Sequence, residues 1–250
     1  MDLATLTRRF GNELYKFAFP IYRPLYGLFK SYADRAEREL LARHLFGGAV
    51  VVDAGANIGT YSRFLAQCVG PSGVVHSFEP DADNFERLSQ ALLHWPSVRL
   101  NHFAVGDQTG ESFLYISDDL NVDHRAYPSA GEDRRKVPMH VVRLDDYFPP
   151  GKRVDLIKMD IQGFELRALR GAERVLEENR RLKMVLEFWP YGLRQAGTSG
   201  PELVSFLRER DFSLSLIADW GIIHWDSAMA NDCDPSNYTN LFAERGTGES

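Results

Sequence analysis

Two cysteines in 250 residues, Cys68 and Cys233, are too few for a disulfide framework or a four-ligand zinc site. A reducing, cytoplasmic setting fits them. Long apolar runs are also missing. The most apolar early stretch, Phe17 to Phe29, is broken by Pro20, Arg23 and Pro24 and is too short to span a bilayer, and the N-terminus lacks a signal-peptide layout. An excess of positive charge is absent too: the net charge of −6 gives no general attraction for phosphates, which argues against a nucleic-acid partner and for a small or neutral substrate. Repeats and low-complexity linkers do not occur. With 44% hydrophobic and 26% charged residues the usage is that of an ordinary globular protein, which removes disorder, collagen and coiled coil. One α/β domain with an extension is expected from this length.

Charge is unevenly spread. Residues 1–45 hold eight Lys/Arg against five Asp/Glu, whereas the remainder is strongly acidic. With Tyr15, Phe17, Phe19, Tyr22, Tyr26 and Phe29 interleaved, this piece either packs as helices on the main domain or rests peripherally on an anionic membrane or a partner.

The hydrophobic pattern changes at Gly47-Gly48. Leu40, Leu41, Leu45 and Phe46 suit one helix face, while Ala49 to Val52 is a continuous run suited to a strand buried on both sides. The reading is therefore an N-terminal helical extension over 1–46 and a main domain over 47–250. From there strands at 49–53, 73–78 and 98–105 alternate with helices near 58–68 and 81–94, the latter started by Pro80-Asp81. Strands at 111–117 and 137–144 enclose a polar insertion. Strand 154–159, helix 164–177 and strand 183–188 resume the alternation. A helix near 200–210, a strand near 213–218 and a final strand near 238–243, antiparallel at the edge, complete a mostly parallel, Rossmann-like sheet flanked by helices.

Ligands of such sheets bind beyond the carboxyl ends of the strands. There stand Asp53, Gly55, Ala56, Asn57, Ile58 and Gly59, then Glu79 and Pro80, then Ala104 to Asp107, then Asp160 to Glu165, then Glu187. A dinucleotide fingerprint wants Gly-x-Gly-x-x-Gly so that backbone closes on a pyrophosphate. Here Asn57 replaces the middle glycine. That weakens a nicotinamide-dependent (NAD) oxidoreductase and favours a ligand without phosphates, S-adenosyl-L-methionine being one: its carboxylate suits backbone N–H groups at a helix start, Asp53 its amino group, and Glu79 two ribose hydroxyls.

The runs VVDAGANIGTYS (51–62), SFEP (77–80), NHFAVGD (101–107), DLIKMDIQGFE (155–165) and VLEF (185–188), with NLFA (240–243), resemble the FkbM-type family of class I S-adenosylmethionine-dependent methyltransferases. The resemblance covers roughly residues 48–190. It implies that fold, methyl transfer to an oxygen of a carbohydrate, lipid-linked saccharide or secondary metabolite, and cofactor contacts from Asp53, Gly55, Asn57, Gly59 and Glu79. It also implies that Ala104, Val105 and Asp107 lie near adenine and that Asp160 is an active-site residue. Gln162 stands where many relatives carry Glu.

A hydroxyl acceptor favours a general base or a metal. His124 has the ionisation for a base, with Asp123 to orient it; Asn121, Asp123 and Arg125 are acceptor-binding candidates on the insertion, and Glu165 and Glu187 on the strand ends. Asp160 and Glu187 together are a magnesium candidate. Lys158 is either a site residue or an inward charge paired with a carboxylate. Trp95, Trp189, Trp220 and Trp225 are read first as core and second as sugar-stacking. A non-catalytic cofactor-binding module is the third reading beside methyltransferase and oxidoreductase.

Overall fold

The computed structural model describes residues 13–117, 123–128, 134–218, 220–232 and 234–245. The two-sided strand read from Ala49 to Val52 is β1 (Val50–Ala54), buried along its whole length. Val51 and Val52 are both fully buried and, by strand alternation, face opposite layers. On the Val51 side lie α2 (Arg35–His44), α3 (Thr60–Val69) and α4 (Ala82–Leu92), contributing Leu41, Leu65 and Leu88. On the Val52 side lie α6 (Glu165–Arg170), α7 (Glu173–Glu178) and α9 (Gly200–Arg208), contributing Leu169, Leu176 and Leu203. Each such side chain adds about 1.5–3 kcal/mol of burial. Helix starts follow their caps: Asp81 accepts from the Asn84 N–H and Ser199 from the Glu202 N–H.

The main sheet has eight strands in the order β10-β9-β11-β8-β7-β1-β2-β3. β2 (Val74–Phe78), β3 (Val98–Asn101), β7 (Leu156–Met159) and β8 (Lys183–Phe188) extend β1 in parallel, and β11 (Thr239–Arg245) runs antiparallel between β8 and β9 (Phe212–Ala218). The final strand is thus antiparallel as expected but interior. The edge is taken by β10 (Gly221–His224), a hairpin return of β9 that the sequence reading missed.

Two further elements depart from expectation. The strand read over 98–105 is two strands: the Asn101 amide folds back onto the Ser77 and Arg99 carbonyls, and the chain leaves the sheet. β4 (Ala104–Val105) then pairs with β6 (Arg135–Val142) in a small sheet with β5 (Gly110–Ile116). The helix read over 164–177 breaks into α6 and α7 because Gly171 abuts Gly106; a Cβ at 171 would stand 2.0 Å from the Gly106 carbonyl oxygen. Short helices α5 (Leu144–Tyr147) and α8 (Pro190–Gln195) complete the layer, the latter starting on a proline suited to a first turn.

The N-terminal segment is helical, with α1 (Phe19–Ala33) leading into α2. Leu40 and Leu41 face the core as expected, but Phe46 is 51% exposed, since Leu45 turns extended and ends the shared face. Among the described residues no helix is long and apolar enough to cross a membrane.

Candidate active site

The carboxyl ends of β1 and β2 form a buried acidic wedge. Asp53 is fully buried; its Oδ2 accepts from Ser62 Oγ at 2.6 Å, while its Oδ1 has no hydrogen-bond partner among the described residues. Burial pushes this carboxyl up, against the pull of Lys158 beside it. The following turn passes through three left-handed residues, Gly55 (φ 82°), Asn57 (φ 49°) and Gly59 (φ 86°). A Cβ on residue 55 would stand 2.0 Å from the Asp160 carbonyl oxygen, so the β1 and β7 turns meet backbone to backbone. Asn57 supplies the positive φ that glycine supplies in a dinucleotide turn, and its Oδ1 accepts the Ile58 N–H at 2.8 Å. The Ile58 N–H is thereby occupied within the turn and is not offered to a phosphate.

Glu79 ends β2. Its Oε2 accepts from the Asn57 N–H at 2.8 Å and its Oε1 from the Asp81 N–H at 2.9 Å, tying the two turns together. Burial raises its pKa to about 8, although both N–H groups pull it down. The Asn84 side chain bonds the same carboxyl and pulls it down as well. Ala56 and Ile58 are buried beside it, and Pro80 precedes the Asp81 cap. Ala104 and Val105 are buried in β4, and Asp107 holds Arg167 at 2.9 and 3.3 Å.

A second group gathers where β7 and β8 end. Gln162, itself left-handed (φ 57°), donates its amide to Asp160 Oδ1 at 3.2 Å and to both Glu187 oxygens at 3.2 and 3.3 Å. Glu165 is fully buried and accepts the Ile161 N–H at 3.0 Å. Burial first, and then the neighbouring Asp160, hold Glu165 near pKa 7; burial, Asp160 and Glu165 hold Glu187 well above the carboxylate range. The magnesium candidate finds no support here. A neutral amide fills the space between the two carboxylates, and among the described residues no group of three or more His, Cys, Asp or Glu is arranged for a metal. Gln162 is what binds the pair together.

The insertion reaches this group through Tyr127. Asp123 is held by Arg125 at 2.9 Å and by Arg134 at 2.6 Å, so it does not orient His124. His124 Nδ1 takes the Ser117 N–H at 3.1 Å, which leaves Nε2 as the protonated nitrogen of the neutral ring, and burial lowers its pKa. Arg125 is buried and lies 5.1 Å over the Trp189 ring; Tyr127 donates to the Gln162 carbonyl oxygen. Asn121 lies outside the described residues. Trp189 is buried with its indole N–H on the Pro235 carbonyl at 3.0 Å, Trp225 packs edge-on to Phe188, Trp95 is half-buried, and Trp220 is 81% exposed.

The sequence reading missed the contribution of the N-terminal helices. Tyr15, Tyr22 and Ile58 form one buried cluster over the turn from Asp53 to Gly59, with Tyr26 packed against it. Lys30 pairs with Asp34 at 2.6 Å, Tyr61 donates to Asp34 at 2.9 Å, and Glu37 accepts from Asn240 at 2.5 Å. Lys158 sits 4.2 Å from the Tyr61 ring centre and 3.8 Å from Asp160. Burial opposes its charge, but Asp160, Glu37 and Asp53 hold its pKa above the ordinary lysine range. Lys158 is thus the inward charge among carboxylates. Glu37 shares a helix face with Leu40 and Leu41, and an acid on an apolar face is the signal that points to a buried partner.

Comparison with known proteins agrees with this geometry. The chain is 26% identical over 234 residues to methyltransferase sdnD of Sordaria araneosa, spanning 76% of this chain and 86% of that protein. It is 30% identical over 146 residues to methyltransferase 1 of Beauveria bassiana, spanning 49% of this chain and 58% of the relative. The solved methyltransferase FkbM of Methylobacillus flagellatus superposes with a TM-score of 0.50 at 21% identity; the match covers 79% of this chain but only 44% of that one, a likeness of fold. The fold is that of class I methyltransferases, with the helix-flanked, mostly parallel sheet and its antiparallel C-terminal strand. The methyltransferase FkbM domain matches residues 53–214, from the acidic end of β1 through the last helix into β9, and the chain belongs to the FkbM methyltransferase family.

Proposed function

We propose that the protein transfers the methyl group of S-adenosylmethionine to a hydroxyl of a small or lipid-linked acceptor, a carbohydrate or secondary metabolite being the chemistry expected. The observation that carries this reading is the pairing of two sites on one sheet edge: a phosphate-poor cofactor turn at β1 and β2, and a proton-holding carboxylate group at β7 and β8. The residues present fit the cofactor. The unpartnered Asp53 Oδ1 suits an ammonium, the Glu79 carboxylate suits vicinal hydroxyls, and the Gly55 turn admits close approach. S-adenosylmethionine supplies an activated methyl carbon. Glu187, in its ionised form, receives the proton leaving the acceptor hydroxyl, and Gln162 holds it in place beside Asp160. His124, whose neutral ring carries its proton on Nε2, is assigned to donate a hydrogen bond to the acceptor. Arg125 and Glu165 line the same side as wall and support.

Transfer of a labelled methyl group from S-adenosylmethionine to an oxygen of the acceptor, located by mass spectrometry and nuclear magnetic resonance, tests the reading. Label on nitrogen or carbon contradicts it. Removal of the imidazole in His124→Ala lowers kcat by about tenfold, the size of one hydrogen bond; turnover equal to wild type removes His124 from the site.

Cofactor affinity carries its own pH dependence. Glu79 must be ionised to accept two hydroxyls, and its pKa is about 8. The ionised fraction rises about fivefold between pH 7 and pH 8, so the Kd falls about fivefold over that unit, seen by calorimetric titration. Glu79→Ala binds more weakly and loses this step.

A further inference from the structure

Helix α1 has two apolar faces and the domain uses one. Phe19, Tyr22 and Tyr26 point inward with Tyr15 onto Ile58. Ile21, Leu25, Leu28 and Tyr32 recur at spacings of four, three and four on the outer side, and they stand 53% to 84% exposed, with Phe29 at 64% beside them. A contiguous apolar stripe on a helix exposed to water marks an interaction surface rather than a solvated face.

Along one flank of the stripe runs a groove of about 710 Å³ between α1, α2, α3 and α4, lined by Arg23, Arg38, Arg63 and Arg87 and reaching Ile58 and Gly59, with Leu28 shared between groove and stripe. Arg38 lies over Phe64 and donates to Ser31, Arg63 lies by Trp95, and Arg87 lies over Tyr15 and Phe19. Arg23 reaches the Ala91 carbonyl oxygen at 3.4 Å and feels the like charge of Arg63. Among the described residues none of the four forms an ion pair with a carboxylate, and Arg87 Nη1 is buried without a hydrogen-bond partner. In a chain of net charge −6, four guanidiniums gathered on one groove without a carboxylate partner among the described residues favour an anion. Their planar forks suit phosphate oxygens.

We propose that this face docks on an anionic phospholipid membrane, the arginine groove taking lipid phosphate while the outer stripe of α1 enters the boundary between headgroups and acyl chains. A free anion accounts for the arginines but leaves the stripe in water. A second copy of the chain accounts for the stripe but brings no phosphate to the groove. A lipid surface satisfies both, at one level along one helix. Binding here does not depend on which acceptor is methylated.

The test is co-sedimentation of the full chain with vesicles of phosphatidylcholine alone and of phosphatidylcholine mixed with phosphatidylglycerol in equal parts. Binding to the mixed vesicles only is expected, weakening with salt. Arg63→Gln weakens it about fivefold, the equivalent of about 1 kcal/mol per basic residue at the surface, and Leu25→Ser with Leu28→Ser weakens it at least as much. Both variants keep the wild-type melting curve, since the changed side chains serve the groove and the outer stripe. Absence of binding by the wild type overturns the proposal, as does equal binding by both variants. Full competition by inorganic phosphate reassigns the groove to a free anion. Light scattering that shows a dimer lost on Leu28→Ser, with no vesicle binding, reassigns the stripe to a second copy.

Discussion

Gly55→Ala abolishes cofactor binding. The residue sits at φ 82°, where a side chain is strained by about 1–3 kcal/mol, and its new Cβ would stand 2.0 Å from the Asp160 carbonyl oxygen, which is backbone and has no rotamer to yield. The turn must open, and opening it moves Asn57, whose N–H holds Glu79, and Asp160, whose side chain holds Gln162. One methyl group thus disturbs both halves of the site. Calorimetric titration of the purified variant with S-adenosylmethionine shows no heat of binding, while circular dichroism shows a folded chain with a lowered Tm. Binding as tight as wild type shows that the two turns do not need their close contact.

Glu187→Gln lowers kcat by about 10²–10⁴-fold, the span of a lost general base, with cofactor Kd unchanged. Glutamine keeps the shape and, through its one carbonyl oxygen, a contact with the Gln162 amide, but takes no proton. Because Glu187 ionises well above the carboxylate range, wild-type kcat rises with pH through that raised pKa, and the variant loses the rising limb. Stability gives an independent sign. A carboxyl whose folded pKa is raised binds more protons folded than unfolded, so wild-type stability falls as pH climbs from the ordinary carboxylate range through the raised value. The variant loses that fall and is the more stable of the two at alkaline pH. A merely structural Glu187 moves the melting temperature and leaves the pH–rate profile unchanged.

Much of this fold was legible because its strongest signals are local. The continuous run ahead of Asp53 announces a strand buried on two faces, and the 183–188 run matches β8 residue for residue. The glycine and asparagine turn reads as a ligand site from conformation alone. What was not legible depends on contacts between distant residues. Nothing near Asn101 announces that the strand ends on its own amide, and the break at Gly171 is caused by Gly106 far upstream. The role of Gln162 was hidden for the same reason: an amide between two carboxylates has meaning only once β7 and β8 lie side by side. Glu37 meets Asn240 across nearly the whole chain, so the N-terminal helices read as a packed extension and not as a wall of the charged site. His124 shows the opposite limit, since its ionisation was readable but its occupied Nδ1 was not.

The central claim is that the turn from Asp53 to Gly59, with Glu79 behind it, is built for a cofactor without a pyrophosphate. Titration of the wild-type chain with S-adenosylmethionine and, separately, with NAD tests it most directly. One-site binding of S-adenosylmethionine and no heat with NAD is the result predicted; saturable binding of NAD with none of S-adenosylmethionine contradicts it.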